Sequence, residues 1–385
     1  MAPTTTTMRT MPTTSRPTSC LREKGPDVSN RKGRRKPVSD FNNERNVHPA
    51  CGQTQATAKA VCGINELLRG ESRAHRSVGY KNSVSRYHMM TMSRCYETGE
   101  ELANRTYRPQ RGEKHEVFEP KYRLTVSSKY SDRVPQAAFV VNYFYPKVVP
   151  HLIKNNFACL KGRGVDAARN TLKEILRSAD MEDYCVKADM KSYFASIDHE
   201  TLYAELFPYM PDEWARWFFM TTVENTGRPV GLDLGSEVYQ LAATSFLNKL
   251  DHMLDHGTYA RYQDDLIFVG SKEECREALK TIRAEAARLK LRVSEEKTFM
   301  QPVKRPIKFL GFSFLKHETG RVTMKRLPEK IREERRKLRR MKRRGVPRER
   351  VDEHCISVRA CLKKGSRSDL MALDRYINQL FKEEK

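Results

Sequence analysis

The spacing of apolar positions changes several times along the chain, and each change marks a new element. Residues 1–60 set few large apolar side chains among Thr, Ser, Pro, Arg and Lys. Such a stretch cannot bury enough surface to offset the entropy of ordering it, so a disordered basic tail is expected. Ile64, Leu67 and Leu68 begin a helical spacing, and another helix is expected around 96–102. From Glu116 the pattern shortens, and residues 117–126 read as two strands joined at Pro120-Lys121. A helix is expected from Asp132 to about Phe144, with Ser131 or Asp132 as its cap. The Gly-rich basic turn at 160–168 leads into a helix ending near Ser178.

Residues 184–189 have the run of a buried strand and end on an acid. Asp198 is placed to cap a helix from His199 to about Phe207. Residues 212–256 read as mostly helical around a loop at 227–236. Beyond that loop one helix is expected through Gln240, Ala243, Phe246, Leu247, Leu250 and Leu254. In 258–270 two apolar segments flank Gln263-Asp264-Asp265, the pattern of a β-hairpin with acids at its tip. A helix over 272–290 follows, then a strand and turn at 291–298, then a hairpin of 307–314 with 321–324. The last part holds a basic helix over 330–344, with Ile331, Leu338 and Met341 on its apolar side. Two shorter helices are expected near 347–363 and 366–382. The reading is an α+β chain in three parts: a tail at 1–60, a mixed body at 61–326 and a helical part at 327–385.

Charge narrows the range of partners. Lys and Arg number 72 against 48 Asp and Glu, a formal net charge of +24. A surplus of that size attracts polyanions, nucleic acid foremost. No apolar run is long enough to span a bilayer, so no membrane partner is expected. The nine cysteines are scattered without a Cys-x-x-Cys pair, which argues against a disulfide framework or a cysteine zinc site and fits a cytoplasmic protein.

The candidate chemistry lies in Asp189, Asp264 and Asp265. Turn acids need no function, because Asp hydrogen-bonds its own backbone in turns. If the strand of Asp189 neighbours the hairpin, however, the acids converge and repel unless a divalent cation neutralises them. Mg²⁺ suits hard oxygen ligands, and two such ions about 4 Å apart serve nucleotidyl transfer. The 160–168 turn lacks the Gly-Lys-Ser/Thr end of a Walker loop; Lys161 and Arg163 there could touch a phosphodiester chain.

Ordered motifs then resemble a known family. Val186-Lys-Ala-Asp189-Met-Lys-Ser-Tyr-Phe194, Gly231-Leu-Asp-Leu-Gly-Ser236 with Gln240, Tyr262-Gln-Asp-Asp265, Lys297, and Phe309-Leu-Gly311 are similar to the successive palm motifs of reverse transcriptases. Glu119-Pro-Lys-Tyr-Arg123 resembles the fingers segment. Bacterial enzymes of the group II intron, retron and above all diversity-generating-retroelement type look closest, because an aliphatic Leu234 precedes Gly235. Asp233, Tyr239, Thr244 and Gln263 depart from that type, and similar departures occur in phage-defence reverse transcriptases.

The resemblance implies a right-hand polymerase fold, with fingers, a palm sheet flanked by helices, and a helical thumb. It implies RNA-directed DNA synthesis with two Mg²⁺ ions, which Mn²⁺ can replace, held by Asp189, Asp264 and Asp265. Lys121, Arg123, Phe194, Gln240 and Lys297 would bind dNTP. Lys161, Arg163, Arg332, Arg335, Arg336, Arg339 and Arg340 would hold nucleic acid. The partners implied are an RNA template, a DNA or RNA primer and dNTPs, with room for a cognate noncoding RNA and an accessory protein. A maturase-like RNA-binding protein with idle chemistry and a protein-primed polymerase are the alternatives. No RNase H, endonuclease or integrase segment is expected beyond the thumb.

Overall fold

The computed structural model describes residues 54–118, 123–365 and 367–381. The expected tail lies outside these residues as far as residue 53, and from Thr54 the chain is helical. Helices α1 (Thr54–Cys62), α2 (Ile64–His75), α3 (Asn82–His88) and α4 (Thr91–Ala103) come first. The antiparallel pair β1 (Glu113–Val117) and β2 (Arg123–Ser127) follows, then α5 (Tyr130–Phe139). Helix α2 lies close against α5 because Gly70 has no side chain; a Cβ there would come within 2.6 Å of the Val134 carbonyl oxygen. Helix α5 starts before Asp132, so neither Ser131 nor Asp132 caps it. Asp132 is buried instead and accepts from the Tyr107 hydroxyl and the Gln110 N–H, both at 2.9 Å.

A π-helical turn (Val140–Phe144) joins α5 to the short α6 (Tyr145–Val148). Then come α7 (Val165–Ser178), β3 (Tyr184–Asp189), α8 (Tyr193–Ser196) and α9 (His199–Leu206). Asp198 caps α9 as expected, accepting from the Thr201 N–H at 3.0 Å. Helix α10 (Glu213–Glu224) precedes the loop at 227–236. The single helix expected after that loop is two, α11 (Glu237–Phe246) and α12 (Asn248–Leu254), broken at Leu247. Ser245 and Thr244 hydroxyls bond back to the carbonyls of Leu241 and Gln240, a bond that bends helices. The Thr244 carbonyl also accepts from Arg261, which competes for it with the helix ladder.

Strands β4 (Tyr259–Tyr262) and β5 (Asp265–Gly270) form the expected hairpin, followed by α13 (Lys272–Arg288), which has a Ser271/Glu274 capping box. The strand expected at 291–298 is only a bridge from Val293 to Met190; the paired strand is the later β6 (Phe299–Pro302). Its Pro and Gln hide the apolar alternation, and a short edge strand needs little of it. The expected strand at 307–314 is split into β7 (Ile307–Phe309) and β8 (Phe312–Lys316), with β9 (Val322–Arg326) beside β8. Leu310 and Gly311, both at positive φ (44° and 82°), make the two-residue turn between them. Three helices close the chain: α14 (Pro328–Arg343), α15 (Arg348–Gly365) and α16 (Arg367–Leu380). Of these α15, expected to be the shorter, has 18 residues to the 16 of α14.

The main sheet runs in the order β4-β5-β3-β6, every neighbour antiparallel. Val186, Ala188, Leu266 and Phe268 point into one core; Cys185, Ala260, Ile267 and Val269 point into a second on the other face. Burial on both faces explains why β3 and β5 read as near-continuous apolar runs. Helices α14, α15 and α16 pack on their own core of Leu338, Val351, Cys355, Leu362, Leu373 and Ile377. They are tied to the body by the Lys364–Asp166 ion pair and by Gly365 seated on the Phe312 ring. No described helix is long and apolar enough to cross a membrane.

Candidate active site

The β3–β5 register sets Asp189 directly opposite Asp265. Tyr262 pairs with Asp265, so Gln263 and Asp264 form a two-residue turn between β4 and β5. Gln263 takes a positive φ of 57°, a region where a side chain is strained and glycine is the default. Surrounding contacts hold it there. Its side-chain amide donates to Thr244 Oγ1 at 3.0 Å and to Cys159 Sγ at 3.3 Å. Its carbonyl accepts from Arg261 Nη1 at 2.9 Å.

Arg261 is wholly buried, and so is its partner Asp251. The pair is bidentate, with two contacts of 2.6 Å, and the Tyr259 hydroxyl donates to the same carboxylate. Burial alone would lower the Arg261 pKa; the Asp251 charge and hydrogen bonds outweigh it and hold the guanidinium protonated. A fixed cation beneath the turn thereby sets the backbone that carries the acids.

Asp189 is 5 % exposed and accepts from Lys297 Nζ at 2.6 Å. Asp265 lies 3.4 Å from Lys187 Nζ. Burial, together with the neighbouring charges of Asp265 and Asp189, pushes Asp264 up to about 6. The hydrogen bond that Lys297 donates to Asp189 raises the lysine's pKa in turn. Asp189 at the end of β3, Asp265 at the start of β5 and Asp264 on the adjoining turn are hard-oxygen donors near enough for their charges to act on one another, with lysines already supplying part of the opposing charge. That donor set fits a divalent cation.

The other candidate residues are distributed unevenly. Phe194, on α8, packs edge-on against Tyr193, and its carbonyl accepts from the Leu232 N–H at 2.7 Å, strapping the 227–236 loop to this turn. Gln240 donates to the Leu234 carbonyl at 3.4 Å and its Oε1 meets Cys159 Sγ at 3.9 Å. Cys159 therefore touches both Gln240 and Gln263. Gly235 lies so close to β2 that an added Cβ would come within 2.6 Å of Ser127 Cα.

Lys161 is exposed, its ammonium 5.5 Å from the centre of the Tyr145 ring. Arg163, by contrast, spends Nη1 on the carbonyls of Ile153 and Asn156, so its first role is to brace the loop. On α14, Arg332, Arg336, Arg339 and Arg340 are exposed. Arg335 departs from them and turns inward, its guanidinium 5.0 Å from the Tyr376 ring centre. Lys121 and the side chain of Arg123 lie outside the described residues. Asp251, Arg261, Thr244 and Cys159 were not among the expected site residues. A lone Arg within an apolar strand was the one visible sign of the buried pair.

An antiparallel sheet with neighbouring acids at the ends of its two central strands, set among helices and followed by a helical bundle, is the arrangement of a right-hand nucleic-acid polymerase. Residues 113–314, more than half of the chain, match the family "Reverse transcriptase (RNA-dependent DNA polymerase)", and the chain belongs to that family. Members of this family are RNA-directed DNA polymerases, nucleotidyltransferases that generally use divalent metal ions. Among solved structures it is similar to apo telomerase from Candida tropicalis, with 11% identity and a TM-score of 0.42 over 54% of this chain and 47% of that one. The same telomerase truncated from its C-terminal domain gives 14% identity and a TM-score of 0.40, over 53% of each chain. The chain thus spans about half the length of these structures. No curated protein matches it significantly.

Proposed function

We propose that this protein copies RNA into DNA from a primer, with Asp189, Asp264 and Asp265 as the acids that hold two Mg²⁺ ions. The direct Asp189–Asp265 register, with Asp264 on the adjoining turn, carries the reading. Those ions would activate the attacking 3′-hydroxyl and offset charge on the leaving pyrophosphate. The chain supplies the rest. Lys297, with its raised pKa and half-exposed side chain, holds a proton at Nζ where the pyrophosphate departs. Phe194 forms the floor under the incoming sugar and excludes a 2′-hydroxyl. Gln240 lines the space for the new base pair. Lys121 and Arg123 grip the triphosphate, Arg as a bidentate donor.

The fingers and palm take residues 61–326 and the thumb 327–385. The exposed Arg332, Arg336, Arg339 and Arg340 of the thumb follow the backbone of an A-like heteroduplex by shape rather than sequence. The Leu234-Gly235 pair, with Gln240 hydrogen-bonded to that loop, supports an enzyme of the diversity-generating type. Asp233, Tyr239, Thr244 and Gln263 depart from that type, and such substitutions also occur among phage-defence enzymes, the second reading. Sequencing the nucleic acid that copurifies with the protein separates the two.

Primer extension on an RNA template with dNTPs and Mg²⁺ tests the activity itself. Full-length product from the wild type and none from Asp264→Ala or Asp189→Asn is expected. A wild type without product, or an Asp264→Ala variant that extends normally, defeats the proposal.

A further inference from the structure

A second group of potential ligands lies on the N-terminal helices, outside the palm. Glu71 and His75 stand four residues apart on α2, a spacing that puts both on one helix face. His88, the last residue of α3, brings its Nδ1 to 3.0 Å from Glu71 Oε1. The ligand atoms of all three lie within 4.8 Å of one another. The two imidazole rings sit 4.9 Å apart, centre to centre.

The Glu71 carboxylate is only 6 % exposed, and a buried carboxylate needs a compensating charge. Its ion-pair partner is His88, 3.0 Å away, an imidazole and not a fixed cation such as Lys or Arg. The Tyr130 hydroxyl donates to Glu71 Oε1 at 3.1 Å, the kind of outer hydrogen bond that orients ligating carboxylates. Gly79 closes the third side. A Cβ there would come within 2.4 Å of His75 Cε1, so the loop between α2 and α3 lies directly on the ring.

We propose that Glu71, His75 and His88 form a binding site for Zn²⁺ or a similar transition-metal ion, separate from the Mg²⁺ acids of the palm. Two imidazoles and one carboxylate suit zinc, nickel or copper and not magnesium, which prefers oxygen ligands and retained water. Three protein ligands leave one position for water. An ion there would set a permanent positive charge against the buried Glu71 carboxylate. It would also lock α3 to α2, and through Tyr130 both to α5, the helix on which α2 packs.

The test uses untagged full-length protein, stripped with chelator and held in Mg²⁺. Zinc uptake is measured by equilibrium dialysis and the melting midpoint is read with and without zinc. The expected result is one tightly held zinc ion and a higher melting midpoint with zinc than with magnesium alone. His75→Ala/His88→Ala loses both effects and still extends a primer in Mg²⁺. Tyr130→Phe weakens zinc affinity by about 10- to 100-fold. His88→Ala alone, altering a side chain 59 % exposed at a helix end, gives the same readout with the least risk to folding. Equal zinc uptake by the wild type and the histidine variants, or a wild-type melting midpoint that zinc leaves unchanged, overturns the site.

Discussion

Asp251→Asn isolates the buried strut beneath the turn that carries Asp264. The substitution keeps the shape of Asp251 and removes its charge. Arg261 is left wholly buried, still facing the Thr244 and Gln263 carbonyls but without its counter-ion. Breaking one partner of a buried pair costs about 3–5 kcal/mol, because the surviving charge is unpaired. A whole domain has only about 5–15 kcal/mol of stability, so the loss is large. The urea midpoint, followed by circular dichroism, should fall accordingly.

Asp251→Leu/Arg261→Met removes both charges, and apolar replacements of buried pairs are neutral or even stabilising. The double variant should therefore recover part of the lost stability, but not all of it, because the buried Tyr259 hydroxyl is left without its acceptor. It should not recover activity. The Gln263 carbonyl loses its Arg261 donor, and the strained turn is free to relax. A displacement of about 1 Å at such a site costs about 100-fold in rate. Stability and primer extension are thus expected to part company in the double variant. An Asp251→Asn cost below about 1 kcal/mol would refute the charge argument. A double variant as active as the wild type would refute the positioning role.

Gly235→Ala should be poorly tolerated, because the new methyl meets the backbone of β2 at Ser127 Cα (2.6 Å) and Val126 O (2.7 Å). Overpacking of this kind costs about 1–3 kcal/mol, readable as a lowered melting midpoint; an unchanged midpoint would mean that the loop is free to move off β2. Asp198 should contribute an acid-labile part of stability. The Lys290 hydrogen bond, helped by Thr201, lowers its pKa from 3.8 to about 2. A depressed carboxylate stabilises the fold above its ordinary pKa and loses that contribution as pH falls from about 4 towards 2, by about 1 kcal/mol once solvent screening is allowed for. Asp198→Asn should flatten that part of the pH–stability curve, and an unaltered curve would contradict the assignment.

Local periodicity was enough to place most elements. β3 ends on Asp189, α9 is capped by Asp198, and the β4–β5 hairpin carries its acids at the tip, because each depends on residues within a few positions of one another. The order of motifs was equally legible, and with it the family. What the sequence could not settle depends on residues far apart along the chain. The order β4-β5-β3-β6 and its register decide that Asp189 faces Asp265 and not a neighbour on the opposite face, since a one-residue slip would invert every side chain. β6 escaped notice because an edge strand needs little alternation. Asp132 looked like a cap until Tyr107 and Gln110 claimed it, and the contact of Arg335 with the Tyr376 ring joins residues 41 positions apart. The sequence by itself determined that there are acids at a strand end and at a hairpin tip. Only the tertiary structure decided that Arg261 and Asp251 hold that tip in a strained turn, because burial of a charge pair is a property of the packed core and not of any local stretch.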